Sequence, residues 1–83
     1  MITAKEAINI ALIYMADIYP NKSGFELEEV ELGDNHDHWS ITVSMPDNLS
    51  SPITVLSGSN RKYKKIIIDS ASGMVKGMQI RKL

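Results

Sequence analysis

Trp39-Ser40-Ile41-Thr42-Val43-Ser44-Met45 is the stretch whose reading decides the fold. Apolar and hydroxyl residues alternate at every position, and an extended strand turns a period of two into one apolar face. The pattern predicts Trp39, Ile41, Val43 and Met45 facing inward and Ser40, Thr42 and Ser44 facing out. The apolar face needs a cover, and the flanking chain is read for one.

Upstream, Gly33 to His38 reads as a polar loop, and before it Phe25 to Leu32 reads as a second strand whose parity breaks midway. Phe25 and Leu27 share one parity, and Val30 and Leu32 share the other. A bulge near Glu28-Glu29, or a strand that begins only at Leu27, reconciles them. The cover comes first in the chain. Thr3-Ala4-Lys5-Glu6 is a capping box, predicting a helix from Ala4 to about Tyr19. Steps of about 100° place Ala4, Ala7, Ile8, Ala11, Leu12, Tyr14, Met15, Ile18 and Tyr19 on one arc, with Lys5, Glu6, Asn9 and Asp17 opposite. Ile13 falls in the polar arc and Ile10 at its margin. Pro20 and Asn21-Lys22-Ser23-Gly24 then turn the chain.

Downstream, Pro46 to Asn60 is a long connection in which Ile53-Thr54-Val55-Leu56 can form a short extended piece. Arg61 to Asp69 and Met74 to Arg81 read as two further strands, joined by a hairpin turn at Asp69-Ser70-Ala71-Ser72-Gly73. Met45, Met74 and Met78 read as core filler. The prediction is a single α+β domain over residues 1–83: one N-terminal helix packed on a four-stranded antiparallel sheet whose second face is open.

Composition narrows the function. At 83 residues the chain can bury only about 60 to 65% of its unfolded surface, so its elements share one core and a cleft between two domains is excluded. With no cysteine there are no disulfides, thiolate metal sites or thiol catalysis. The apolar stretch Ala7 to Ala16 is interrupted by Asn9, lacks a clear cleavage site before Pro20 and is too short to span a membrane. With Met1 as the native start, the expectation is a cytoplasmic protein that does not engage membranes.

The ordered elements resemble the PepSY domain. The resemblance rests on Ile2-Thr3-Ala4-Lys5-Glu6-Ala7-Ile8, similar to that family's Thr-Ala-x-x-Ala helix start. It rests also on the paired strands through Leu27 to Leu32 and Trp39 to Val43, and on Ile68-Asp69-Ser70-Ala71-Ser72-Gly73-Met74-Val75 against the family's Asp-x-x-Thr-Gly-x-Val hairpin. Ser72 stands where threonine is usual. The resemblance covers most of the chain, and implies a helix wrapped by an antiparallel sheet, as in cystatin-like folds. It further implies binding or inhibition of a partner, since such domains occur in propeptides of thermolysin-like metalloproteases and in exported regulatory proteins, settings usually outside the cytoplasm.

Few residues suggest chemistry. Both histidines lie in Asp34-Asn35-His36-Asp37-His38. In an extended segment Asp34, His36 and His38 would project to one side and could ligate zinc or nickel. Ligands at a spacing of two make a poor tetrahedral cage, so a solvated turn explains the tract better and no metal or other cofactor is expected. No serine sits in a Gly-x-Ser-x-Gly elbow. The glutamates Glu26, Glu28, Glu29 and Glu31 read as a wet strand face. Arg61-Lys62-Tyr63-Lys64-Lys65 surrounds one aromatic with bases, but Lys64 and Lys65 point to opposite faces and the acidic half repels phosphates, which argues against nucleic acid.

Charge is laid out unevenly. Met1 to Asn48 holds nine acids and two bases; Leu49 to Leu83 holds one acid and seven bases, so the halves carry −7 and +6. Cross-strand pairing on a polar face is one reading, and a pole that docks an oppositely charged protein is the other. The sequence therefore points to a non-enzymatic protein-binding module, inhibitory or regulatory, with a protease-like or toxin-like partner. Its contact residues would be Glu29, Glu31, Asp34, His36, Asp37, His38 and Trp39. An alternative is an immunity or antitoxin protein that blocks a toxin's active site with its acidic pole. Another is a small metal-dependent or hydrolytic enzyme using the His36/His38 loop. Ile10 and Ile13 mark a candidate contact in a homodimer.

Overall fold

A helix whose first turn leaves its amides without acceptors needs a cap, and Thr3 supplies one. In the computed structural model, which describes residues 1–46 and 61–81, the Glu6 amide donates to Thr3 Oγ1 and the Thr3 amide donates to Glu6 Oε1, both at 3.1 Å. The helix α1 runs from Ala4 to Ile18. It stops because Tyr19 precedes Pro20, whose ring excludes the helical conformation from the residue before it. Tyr19 takes φ −119° and ψ 68° as the C-cap, its amide still donating to the Met15 carbonyl.

Four strands follow: β1 (Glu26–Leu32), β2 (His38–Pro46), β3 (Arg61–Asp69) and β4 (Val75–Arg81). They form one antiparallel sheet in the order β1-β2-β3-β4, leaving β1 and β4 as its edges. The helix packs on one face of this sheet, chiefly over β2 and less over β1 and β3. Ala7, Ala11 and Met15, one helical turn apart, meet Ile41, Val43 and Met45 of β2 and Ile66 and Ile68 of β3 in the core. The two alanines leave room for the sheet to approach the helix backbone.

The broken parity of β1 is resolved by a bulge. Leu27 pairs with Val43 and Glu29 with Thr42, so Glu28 is the extra residue. Directly paired residues share a face, which puts Leu27, Val30 and Leu32 on the helix side together with Val43, Ile41 and Trp39. A second bulge leaves Lys76 unpaired between Val75 and Gly77 in β4. The β3–β4 turn is closed by its own chemistry: Asp69 Oδ2 accepts from the Ser72 amide at 2.8 Å and from Ser72 Oγ at 2.7 Å, and Gly73 takes φ +78°.

Several expectations need correction. Ser40, Thr42 and Ser44 do lie on the face away from the helix, yet they are only 7%, 2% and 0% exposed, so that face is not open along β2. Each short hydroxyl residue of this inner strand stands between longer neighbours: Ser40 between Glu31 and Ile67, Thr42 between Glu29 and Lys65, Ser44 between Glu26 and Tyr63. Ile10 is half buried against the core rather than outside it. Ile18 and Leu27, expected inside, are 41% and 42% exposed, and Met74 precedes β4 and is 70% exposed, so it fills no core. His38 belongs to β2, not to the loop. The expected extended piece at Ile53 to Leu56 lies outside the described residues.

The cap sets a measurable contribution. Thr3→Ala is expected to lower unfolding stability by about 1 kcal/mol in urea titrations, whereas Thr3→Ser, which keeps the acceptor, changes it by only a few tenths.

Candidate functional site

Glutamates alternate with apolar residues in β1, so the strand can seat on the core only with its carboxylates turned away. Glu26, Glu28, Glu29 and Glu31 are all exposed along this sheet edge. At the bulge Glu28 turns to the face away from the helix, where its Oε2 accepts from the buried Ser44 Oγ at 2.6 Å. The acidic edge continues into the hairpin tip, where Asp34, Asn35, His36 and Asp37 are exposed.

The tip is a closed turn. The His36 amide donates to the Gly33 carbonyl at 2.9 Å and the Gly33 amide to the His38 carbonyl at 2.8 Å. His36 sits at φ +56°, in the left-handed region. The segment is therefore not extended, and the same-side projection of Asp34, His36 and His38 does not arise. Among the described residues, no three His, Asp or Glu side chains come together in a metal-ligating cluster.

His38 is clamped. Its Nδ1 lies 2.6 Å from Asp37 Oδ1. Because a carboxylate can only accept, this contact places a proton on Nδ1. Gly33 packs under the ring so closely that a Cβ there would overlap it. The hydrogen bond from His38 holds the Asp37 carboxyl below the ordinary aspartate range. The Asp69 carboxyl, cross-strand from His38, is lowered too, by hydrogen bonds from the Ser72 side chain and backbone.

Trp39 is set apart from the other predicted contact residues. It pairs with Leu32 on the helix side, whereas Glu29 and Glu31 pair with Thr42 and Ser40 on the far side. Its indole Nε1 donates to the Ile2 carbonyl at 3.2 Å and its ring packs against the core. The structure thus gathers Glu29, Glu31, Asp34, His36, Asp37 and His38 along one edge and tip, and gives Trp39 to the core. Ile13 is 68% exposed on the outer side of α1.

One residue that the sequence reading passed over organises this corner. Ser70 is 4% exposed; its Oγ donates to the His36 carbonyl at 2.6 Å, its amide to the Asp37 carbonyl at 3.1 Å, and its carbonyl accepts from the Ile2 amide at 2.7 Å. The signal was parity: Ser70 follows Ile66 and Ile68 at steps of two, on the buried side of β3.

No protein-family model, curated protein or solved structure matches the chain. Among the described residues, no helix is long and apolar enough to cross a membrane.

Two outcomes follow from the tip. Both carboxyls have folded pKa values below the unfolded value, so their stabilisation is complete above about pH 4 and is lost as pH falls through the folded values. Melting temperature should therefore be flat with respect to these groups from pH 7 to about 5 and fall below about 4, with a shallower acid limb in Asp37→Asn and Asp69→Asn. Gly33→Ala should push the His38 ring off Asp37, seen by NMR titration as a rise in the Asp37 pKa towards its ordinary value. In a His38→Ala background the same substitution should leave that pKa unchanged.

Proposed function

We propose that this chain is a non-enzymatic protein-binding module of PepSY-like form, inhibitory or regulatory, working in the cytoplasm on a protein partner. The observation that carries the reading is the exposed acidic edge: four glutamates within the seven residues of β1, continuous with Asp34 and Asp37 at the hairpin tip. Exposed carboxylates in a row steer and orient a basic protein surface. As an edge strand, β1 also offers backbone groups on its outer side to an extended segment of a partner. The clamped tip adds preorganisation, because a turn tied by Ser70, Asp37 and Gly33 has less freedom to lose on docking.

The same acidic edge supports a second reading, an immunity or antitoxin protein that sets its carboxylates against a basic toxin active site in place of phosphates. The two readings share a surface and differ in the partner.

Affinity capture from the native host followed by mass spectrometry tests both. A basic protein should be retained by the wild type and lost with Glu29→Lys/Glu31→Lys, two exposed positions whose replacement leaves the core intact. Retention should weaken as salt rises. Recovery of the bait alone, or a partner indifferent to the double substitution, counts against the acidic edge as a docking surface.

A further inference from the structure

The helix leaves one corner of its own sheet uncovered. It begins where the Ile2 amide meets the Ser70 carbonyl, and Ile10 reaches the β3–β4 turn, its Cδ1 being 3.2 Å from where a Cβ on Gly73 would lie. After the helix the chain returns to β1, the opposite edge. The helix therefore crosses the sheet from the β3–β4 turn towards β1, and the far end of β4 receives little of it. On this face Val75 and Met78 are partly buried, but Ile80 near the end of β4 is 73% exposed.

Ile80 has a defined neighbour. It pairs directly with Lys64 of β3, so an apolar side chain and a cation stand side by side on the helix face, with Cβ atoms about 5 Å apart. The outer side of α1 carries the complementary pair. Ile13, 68% exposed, is followed one turn later by the exposed Asp17, again with a Cβ spacing of about 5–6 Å. One pair is apolar and acidic, the other apolar and basic, at matching separations.

We infer that a second copy of this chain covers the corner, the Ile13/Asp17 pair of each protomer seating on the Ile80/Lys64 pair of the other. Docked reciprocally, the two patches of each protomer act as one self-complementary surface, each interaction occurring twice about a two-fold axis, and the assembly closes as a dimer instead of running on head to tail. The charge pairing selects the occupant. Seating a helix on the corner buries Asp17 beside Lys64, whereas two corners or two helix patches brought together would set like charges against each other. The docking places a second helix in the layer that α1 fills only in part, and removes Ile13 and Ile80 from water. This contact lies on the helix face of the sheet, away from the acidic outer side of β1, and is independent of the partner proposed for that edge.

Sedimentation equilibrium of the full chain tests it. The wild type should sediment at twice 9.2 kDa at high protein concentration. Ile13→Glu and Ile80→Glu should each weaken the dimer at least about tenfold without loss of helical circular dichroism, both side chains being exposed in the protomer. Asp17→Lys and Lys64→Asp should each weaken it, and the two combined should return it to within about threefold of wild type. A 9.2 kDa species at every concentration up to about 1 mM overturns the inference, as does a dimer indifferent to Ile13→Glu or a charge swap that fails to restore association.

Discussion

Three hydrogen bonds at Ser70 hold the fold to one arrangement. A buried serine must satisfy its hydroxyl and its backbone, and here each group goes to a different part of the chain or to a different residue of the same tip. The carbonyl takes the chain start through Ile2, and the amide and hydroxyl take the β1–β2 tip through Asp37 and His36. Trp39 repeats the tie by donating to the Ile2 carbonyl. Because the helix begins two residues after Ile2, fixing that residue fixes where α1 enters the sheet. This junction sets the end of the sheet at which α1 starts, while the side it covers is set by the apolar face of β2 and β3.

Local chemistry was legible because its partners lie within a few residues of one another. The Thr3/Glu6 capping box, the stop before Pro20 and the Asp69–Ser72 turn each involve contacts over three residues or a single neighbour, and each stands where its residues imply. The bulge at Glu28 was legible for a different reason. Four apolar residues of mismatched parity cannot share one face without an extra residue, so burial itself demanded it.

What stayed hidden depends on pairings over long separations. Ser70 meets His36 across 34 positions; its parity with Ile66 and Ile68 marks it as buried, but nothing in Asp69-Ser70-Ala71-Ser72-Gly73 names the distant loop it caps, while Ser72 serves its own turn. Ser40, Thr42 and Ser44 read as wet because hydroxyl residues alternating with apolar ones ordinarily face solvent. Their burial follows from β2 having longer neighbours on both sides, and strand order is not written in the strand. Ile10 likewise sits at the margin of a helical wheel, and only the position of the β3–β4 turn decides that the margin is covered.

The uneven charge of the two halves takes its meaning from the sheet order. With β2 placed between them, the acidic β1 and the basic β3 are not hydrogen-bonded neighbours, so Glu29 and Lys65 face each other across Thr42 at the span of two strand spacings, about 10 Å. As built, the acids lie along one edge, and a bulge interrupts each of the two edge strands, at Glu28 in β1 and at Lys76 in β4. Charges and bulges of this kind discourage indiscriminate pairing of exposed strands. Under the proposed reading, an extended segment adding to β1 brings cations to meet its glutamates, so the charge that keeps the edge from sticking to itself would also select the partner.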